Sequence, residues 1–361
     1  MDEQMREMKK DGLVIIGAIF TVLFVAATLI IPSAKSSITS ELSQQAASIM
    51  EESTGIISNY CYENNININE ANDPWLTGLI GPEISDITTT IGDLKAKQTT
   101  LNPAFASLIT DLLAEAGVKR GDTIAMGCSG SFPGLLIASV SAVKAMELNA
   151  RIIISVGSSS YGANNPDLTI LDIYNILMEN GIIDIAPSAV SLGGGQDCGE
   201  GFEGNIAEDL KSMIIPSAIP FIYESDLQGN VSQRESIYFG SGTHNIKAFI
   251  NTGGSYANMG TSALSLKLQP GRVGKVAIPE KKEQGVIFSM LGKGIPVIHL
   301  LNIRGICQKY NLTWDQDSGA GSPNGEYLVR NSSHQDGAIS IIFLLSFSIF
   351  LILYHRLNSI N

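Results

Sequence analysis

The 361-residue chain has little positive charge and few of the His and Cys residues that build zinc sites. It carries 23 Lys and Arg against 35 Asp and Glu, with four His and four Cys. An acidic protein repels nucleic acid and other polyanions at long range, so an anionic ligand would need a local binding device. No cysteine pair has the CxxC or Cys/His spacing of a zinc site. We therefore expect neither a nucleic-acid partner nor a metal.

Nucleotide-binding motifs are also missing. No glycine-rich turn carries the lysine of a P-loop, and no G-x-G-x-x-G follows the first strand of the sheet predicted below. ATP and NAD are therefore disfavoured, and we expect no cofactor. Cys128 and Cys198 each lie in a glycine-rich turn. They could form a disulfide if the turns meet, or remain two unreactive thiols.

Long hydrophobic runs occur only near the two ends. Residues 13–31 contain no charge and are long enough to cross a hydrocarbon core about 30 Å thick. Residues 338–354 also lack charge, although their length is near the lower limit for a span. Both segments are predicted to be transmembrane helices. A cleaved signal peptide is the alternative for the first, but its apolar run is long and no clean small-x-small cleavage site follows it.

Positive charge near the spans predicts their orientation. Arg6, Lys9 and Lys10 precede the first span and Arg356 follows the second, which places both termini in the cytoplasm. The residues between the spans then form one extracytoplasmic region of a cell-membrane protein. The predicted organisation is a cytoplasmic tail (1–12), a transmembrane helix (13–31), a membrane-proximal helical segment (32–100), an α/β domain (101–315), a linker (316–337), a transmembrane helix (338–354) and a second cytoplasmic tail (355–361).

A pattern repeated four times organises the region between the spans. An apolar run ends in a turn of small residues, and an apolar helical pattern follows, in "TIAMGCSGS", "RIIISVGSSSYGANNP", "SAVSLGGGQDCGEG" and "KAFINTGGSYANMG". This alternation predicts a Rossmann-like α/β fold, with a largely parallel sheet and flanking helices. The carboxyl ends of parallel strands share one edge, where ligands bind. We expect Ser129, Gly157, Gly194 and Gly254 to lie along that edge.

The first of these turns, "GCSGS", is one residue away from the G-x-S-x-G turn that exposes a nucleophilic serine. Its second glycine is replaced by Ser131. The candidate catalytic residues, in the chain order of α/β-hydrolases, are Ser129, Asp197 and His299, with His244 as the alternative histidine. The turn could equally be structural, with Ser131 capping the next helix and Pro133 in its first turn.

The glycine-rich turns could instead bind a ligand. Helix N-termini offer unpaired N–H groups and a partial positive charge, and glycine lets an anion approach them. Asp197 and Glu200 would repel an anion and favour a cation, a hydroxyl or an amine, while the glycines could simply permit close backbone packing. Asparagine before Pro166 is also ordinary turn chemistry. The candidate ligand-binding residues are Gly127, Gly130, Ser131, Ser158, Asn164, Asn165, Gly193, Gly194, Gly195, Gly253 and Gly254.

Five segments in order resemble the poly-gamma-glutamate system protein family: "GDTIAMGCSGSFPGLLIA", "SVGSSSYGANNPDLTILDI", "GGGQDCGEG", "FINTGGSYANMG" and "GKGIPVIHLLNI". Members of that family are membrane proteins encoded beside the synthase and export components for poly-γ-glutamate, an extracellular amide-linked polymer. The resemblance extends from the first span to about Asp315. The "NNININ" insert and the second span are departures from it.

The resemblance implies an accessory role in poly-γ-glutamate synthesis or export, and it assigns no catalytic residue. We expect the chain to bind the polymer or its synthase complex through the glycine-rich crevice. The alternative is an extracytoplasmic serine hydrolase or amidase that uses Ser129. A third possibility is structural assembly through the membrane spans, which would leave the crevice without a ligand.

Overall fold

The computed structural model describes residue 21, residues 34–215, 219–224, 226–240, 246–253 and 255–314, and residue 347. The two predicted spans, apart from single residues, and His244 and Gly254 lie outside this part of the chain. No helix within it is long and apolar enough to cross a membrane. The chain divides into two compact units, and residues 39–314 belong to the larger one.

Short strands alternate with helices along the described chain. The strands are β1 (Thr88–Thr90), β2 (Thr123–Ser129), β3 (Asn149–Ser155), β4 (Ser158–Ser159), β5 (Asn164–Asn165), β6 (Leu168–Thr169), β7 (Ala189–Ser191), β8 (Phe221–Ile222), β9 (Ile246–Asn251), β10 (Gly271–Arg272) and β11 (Val297–His299). The α-helices are α1 (Ala34–Glu63), α2 (Leu94–Thr99), α3 (Ala104–Glu115), α4 (Pro133–Ala145), α5 (Ile170–Glu179), α6 (Ile206–Ile214), α7 (Leu227–Phe239), α8 (Tyr256–Met259), α9 (Val286–Gly292) and α10 (Ile303–Tyr310).

In the described residues, seven strands form the central sheet in the order β10-β11-β9-β2-β3-β7-β8. All neighbouring pairs are parallel except β10 with β11, which is antiparallel at the edge. This confirms the predicted α/β fold with a mostly parallel sheet and flanking helices. The terminal helices of that prediction lie outside the described residues.

Strand β2 is buried on both faces of the sheet, as its apolar sequence predicts. Ile124 and Met126 belong to one apolar cluster, together with residues of α3 and α4. Ala125 belongs to a second cluster, together with residues of α7 and α9. Successive side chains of a strand point to opposite faces, so a strand covered by helices on both sides must be apolar throughout.

The strand order reverses beside β2. The chain runs from β2 outward to β3, β7 and β8, and then returns to β9 on the other side of β2. In open α/β sheets, such a reversal creates a crevice at the carboxyl ends of the two strands. Here those ends are Ser129 on β2 and Asn251 on β9.

A segment before the predicted domain start at residue 101 completes the same unit. Strand β1 pairs in parallel with β4, and the Ser160 backbone N–H donates to the Thr90 carbonyl at 2.9 Å. The side chain of Lys97, in α2, is buried against the loop around β4. Residues 88–99 therefore lie beside the carboxyl edge of the sheet.

All four cysteines are free thiols. Cys128 is fully buried in β2, and burial raises the pKa of its thiol to about 12. The Cys198 thiol instead lies 2.9 Å from the Glu224 carbonyl oxygen. Of the two sequence-based alternatives, the structure has the thiols and not the disulfide.

Candidate functional site

A cavity of about 610 Å³ opens at the carboxyl edge of the sheet. One wall consists of the residues that follow β2, β3, β7 and β11. The opposite wall is residues 89–97, which include the start of α2. The lining residues with polar side chains include Asp93, Lys97, Ser129, Ser131, Ser155, Ser159, Ser255 and Arg304.

Three of the four turns expected at one edge do meet there. Ser129, Gly157 and Gly194 line the cavity, together with the predicted ligand-binding residues Ser131, Gly193 and Gly195. The fourth turn contributes Ser255. Its Gly254 lies outside the described residues.

Two further glycines in these turns support the cavity wall without lining it. A Cβ atom at Gly130 would lie 2.7 Å from the Val156 carbonyl oxygen, and one at Gly253 would lie 2.6 Å from the Ser129 backbone nitrogen. Both distances are shorter than van der Waals contact. The turns therefore need glycine at these two positions for close backbone packing.

The remaining predicted ligand-binding residues also have structural contacts and do not line the cavity. The Asn164 amide donates to the Pro82 carbonyl at 2.9 Å and to the Thr88 hydroxyl at 2.8 Å. Asn165 accepts from the Asp167 N–H at 3.1 Å, which is an ordinary turn contact. Ser158 donates to the Ser159 carbonyl, and Gly127 packs against Asn258. Asn164 and Asn165 are thus not among the lining residues of this cavity.

The candidate Ser-Asp-His triad is not assembled. Gly127 of β2 is in register with Asn251 of β9, which is in register with His299 of β11. His299 therefore lies two strands from β2 on one side, about 10 Å away, and Asp197 lies on the other side, against β3 and β7. No hydrogen bond joins these three side chains within the described part of the chain.

His299 and Ser129 also lack the local surroundings of a base and a nucleophile. The His299 imidazole is buried beside the Asn251 amide at 3.3 Å, and burial lowers the histidine pKa to about 4. It is therefore a neutral core histidine. The hydroxyl of Ser129 accepts a hydrogen bond from the Ser131 N–H at 3.4 Å, which is a turn contact.

Asp197 instead forms a fully buried ion pair with Arg234 of α7. The Arg234 guanidinium donates to one carboxylate oxygen at 2.6 and 3.2 Å, and neither side chain is exposed. The Ser191 hydroxyl donates to the other oxygen at 2.9 Å. The ion pair compensates the charge of Asp197, so the glycine-rich turn repels an anion less than its sequence indicates.

This ion pair also fixes the shape of the turn. Gln196 and Asp197 have left-handed backbone conformations, with φ of 53° and 65°, which non-glycine residues rarely adopt. The Asn230 amide of α7 donates to the Gln196 carbonyl at 2.7 Å. Arg234 and Asn230 thus hold residues 193–199 against α7, and Arg234 also reaches the lining residue Ser155 at 2.9 Å.

Lys97 is the lining residue with the most unusual surroundings, and sequence analysis missed it. Only 2% of the residue is exposed, yet it is one of the residues that line the cavity. The amine contacts the Ser159 hydroxyl at 2.7 Å and the Ser131 carbonyl oxygen, and lies 3.7 Å from the centre of the Phe132 ring. Burial lowers the Lys97 pKa to about 7, against an opposing effect of the Asp93 carboxylate.

Arg304 is a second basic residue at the cavity. Its side chain is exposed at the start of α10, with the guanidinium carbon 4.9 Å from the centre of the Trp314 ring. Asp93, an acid in the lining, caps α2 by accepting from the Lys95 and Ala96 N–H groups. No carboxylate of the described residues lies within ion-pair distance of Lys97 or Arg304.

The sequence held no clear signal for these two basic residues. Lys97 lies two residues from the exposed Lys95, and only the packing of α2 makes one buried and the other solvated. The segment "DLKAKQ" is polar, so its sequence does not indicate that one of its two lysines is buried. Comparison with known proteins adds no functional residue, because no family model, curated protein or solved structure matches the chain.

Proposed function

We propose that this protein is a membrane-anchored accessory of poly-γ-glutamate synthesis or export and binds the polymer in the cavity at the carboxyl edge of the sheet. The observation that carries the proposal is the exposed guanidinium of Arg304, at a cavity lined by serine hydroxyls and glycine backbone in an acidic protein. The extracytoplasmic position of the cavity is part of the proposal. Five sequence segments resemble, in the same order, the poly-gamma-glutamate system protein family, and this resemblance supports poly-γ-glutamate as the polymer.

The charges at the cavity favour a carboxylate. Arg304 presents a planar guanidinium that can donate two parallel hydrogen bonds to a carboxylate. The Asp197 charge is compensated by Arg234, and the Asp93 carboxylate accepts hydrogen bonds at the start of α2. These contacts reduce the repulsion that Asp197 and Asp93 exert on an anionic chain, although the whole protein carries a net charge of −12.

The dimensions of the cavity favour a chain over a single small anion. Its lining extends from the turn after β7 to the segment after β11, across five adjacent strands. Four strand spacings correspond to about 19 Å. Serine hydroxyls along this path can donate to and accept from the amide groups of a polymer backbone.

The hydrolase that uses Ser129 is not proposed, because Asp197 and His299 lie on opposite sides of β2. An accessory protein could instead bind the synthase, and not the polymer, at the same cavity. Such binding would leave the purified protein without affinity for free polymer. The experiment below separates the two.

We expect Arg304→Gln to weaken binding of a γ-linked glutamate oligomer at least tenfold, because a hydrogen bond to a charged group contributes about 1.5–3 kcal/mol. Binding would be measured with the full-length protein in detergent, by titration with a fluorescent oligomer. The matched control is Arg120→Gln, which removes the same charge from an exposed pair with Glu147 before β2, at the opposite edge of the sheet. Equal affinities in the two variants would contradict the cavity as the binding site.

A further inference from the structure

Lys97 and Ser159 form a contact that polymer binding does not require. The lysine amine lies 2.7 Å from the serine hydroxyl oxygen, and both residues line the cavity. Ser159 is at the end of β4, and its backbone N–H donates to the Ser131 hydroxyl at 3.1 Å. The hydroxyl is thus held beside an amine by contacts from α2, β4 and the turn after β2.

The position of the amine is fixed from several sides. It also contacts the Ser131 carbonyl oxygen and the face of the Phe132 ring. A long, flexible lysine side chain loses considerable conformational freedom when it is fixed in this way. These contacts keep the Lys97 amine beside the Ser159 hydroxyl.

Gly92, which lines the cavity, packs closely against this pair. A Cβ atom there would lie 3.2 Å from both the Ser159 hydroxyl oxygen and the terminal side-chain carbon of Lys97. It would also clash with the Ser160 backbone carbonyl oxygen, so glycine is required where this segment packs against the loop around β4.

We propose that Ser159 and Lys97 are a nucleophile and its general base, and that they transfer the acyl group of an amide bound in the cavity. Serine with a lysine base is a known variant of the nucleophile–base arrangement. The class of substrate, an amide within a carboxylate-bearing chain, rests on the proposed function. The nucleophile itself can be tested without that substrate.

The reaction has two balanced steps. In the first, the Ser159 oxygen attacks the amide carbonyl carbon and its proton moves to the neutral Lys97 amine. The C–N bond then breaks, Lys97 returns the proton to the leaving amine, and an ester of Ser159 remains. In the second, water attacks the ester and gives a proton to Lys97, the C–O bond to Ser159 breaks, and that oxygen takes the proton back. An amine in place of water would form a new amide.

The protonation state of Lys97 suits this role. With a pKa of about 7, a large fraction of the amine is neutral at physiological pH, whereas an exposed lysine is almost entirely protonated. Asp93, which caps the start of α2, is the charged group that acts on Lys97. Ser159 on β4, and Ser131 and Phe132 after β2, face the amine without charge.

A fluorophosphonate probe tests the nucleophile directly, because a serine oxygen displaces its fluoride and forms a stable bond to phosphorus. The full-length protein in detergent would be labelled and the modified residue located by mass spectrometry. We expect labelling at Ser159, with a rate that rises through about pH 7. Ser159→Ala should abolish this labelling, and Ser236→Ala, at an exposed serine of α7, should leave its rate unchanged.

Two substitutions of Lys97 test the base. Lys97→Arg keeps a cation that cannot accept the proton, and Lys97→Met keeps the approximate volume without an amine. Each should lower the labelling rate at least 100-fold, and either variant with a native thermal unfolding profile suffices for the measurement. Labelling of another serine, no labelling at all, or an unchanged rate in a folded Lys97 variant would overturn the proposal.

Failure of this proposal is distinguishable from failure of the proposed function. Ser159→Ala should still bind the γ-linked oligomer, since a single neutral hydroxyl contributes little to binding of a charged chain. Wild-type protein that binds the oligomer but resists the probe would overturn the nucleophile alone. Wild-type protein that takes up the probe at Ser159, but has no affinity for the oligomer, would support the nucleophile and overturn its assigned substrate.

Discussion

Arg234→Met is expected to lower the free energy of unfolding by about 3–5 kcal/mol, because it leaves the Asp197 carboxylate buried without its partner. Arg234 donates two hydrogen bonds to that carboxylate and further ones to Ser155 and Ser191. Both members of the pair are completely buried. Water therefore cannot replace the lost contacts, and the glycine-rich turn should lose its conformation together with the ion pair.

Denaturant unfolding of the full-length protein would measure this effect. The control is Arg120→Met, which removes an arginine from an exposed pair with Glu147 and should change stability by less than about 1 kcal/mol. Adding Asp197→Asn to Arg234→Met should recover part of the loss, since no unpaired charge remains. Equal stabilities of Arg234→Met and Arg120→Met would show that the buried pair does not support the turn.

Gly130→Val is expected to abolish production of extracellular polymer. The valine Cβ atom would lie 2.7 Å from the Val156 carbonyl oxygen and 2.9 Å from the Ser158 Cβ atom, so the turns after β2 and β3 would have to separate. Both turns form the cavity wall. The neighbouring Ser129→Ala should retain most of the yield, because the hydroxyl makes one long hydrogen bond and its loss costs on the order of 1 kcal/mol.

Polymer yield would be measured in cells that express each variant at comparable levels. Gly55→Val is the control for the glycine substitution, since a Cβ atom there has open space around it in α1. Normal yield from Gly130→Val would contradict the importance of the cavity wall. No yield from a folded Ser129→Ala variant would instead restore Ser129 as a catalytic candidate.

The sequence predicted the sheet because its signals are local. In β2, a run of apolar residues followed by glycine and serine is sufficient to indicate a buried parallel strand that ends at a ligand-binding edge. The same pattern occurs at β3, β7 and β9. The turns that contain Ser129, Gly157 and Gly194 consequently meet as expected.

The predicted Ser-Asp-His triad is not formed, because the order of strands along the chain differs from their order in the sheet. Asp197 follows β7 and His299 ends β11, and these strands lie on opposite sides of β2. After β8 the chain returns to form β9 on the other side of β2, and this places Asp197 and His299 on opposite sides of that strand. That reversal depends on tertiary packing, and no short motif reports it.

Lys97 was missed for a related reason. Its segment precedes the repeated strand-and-turn pattern, and the sequence alone favoured a separate membrane-proximal helical segment there. Pairing of β1 with β4 brings Lys97 to Ser159, 62 residues away in the chain. Burial then changes the proton affinity of an otherwise ordinary lysine.

Photocrosslinking tests the central claim, that the cavity holds a carboxylate-bearing polymer, most directly. A γ-linked glutamate oligomer that carries a diazirine would be irradiated with the full-length protein, and the attached residues located by mass spectrometry. The account predicts attachment to residues 89–97, to the turn at Ser129–Ser131 and to the region of Arg304, with competition by unlabelled oligomer. Attachment confined to other surfaces, or no competable attachment, would contradict it.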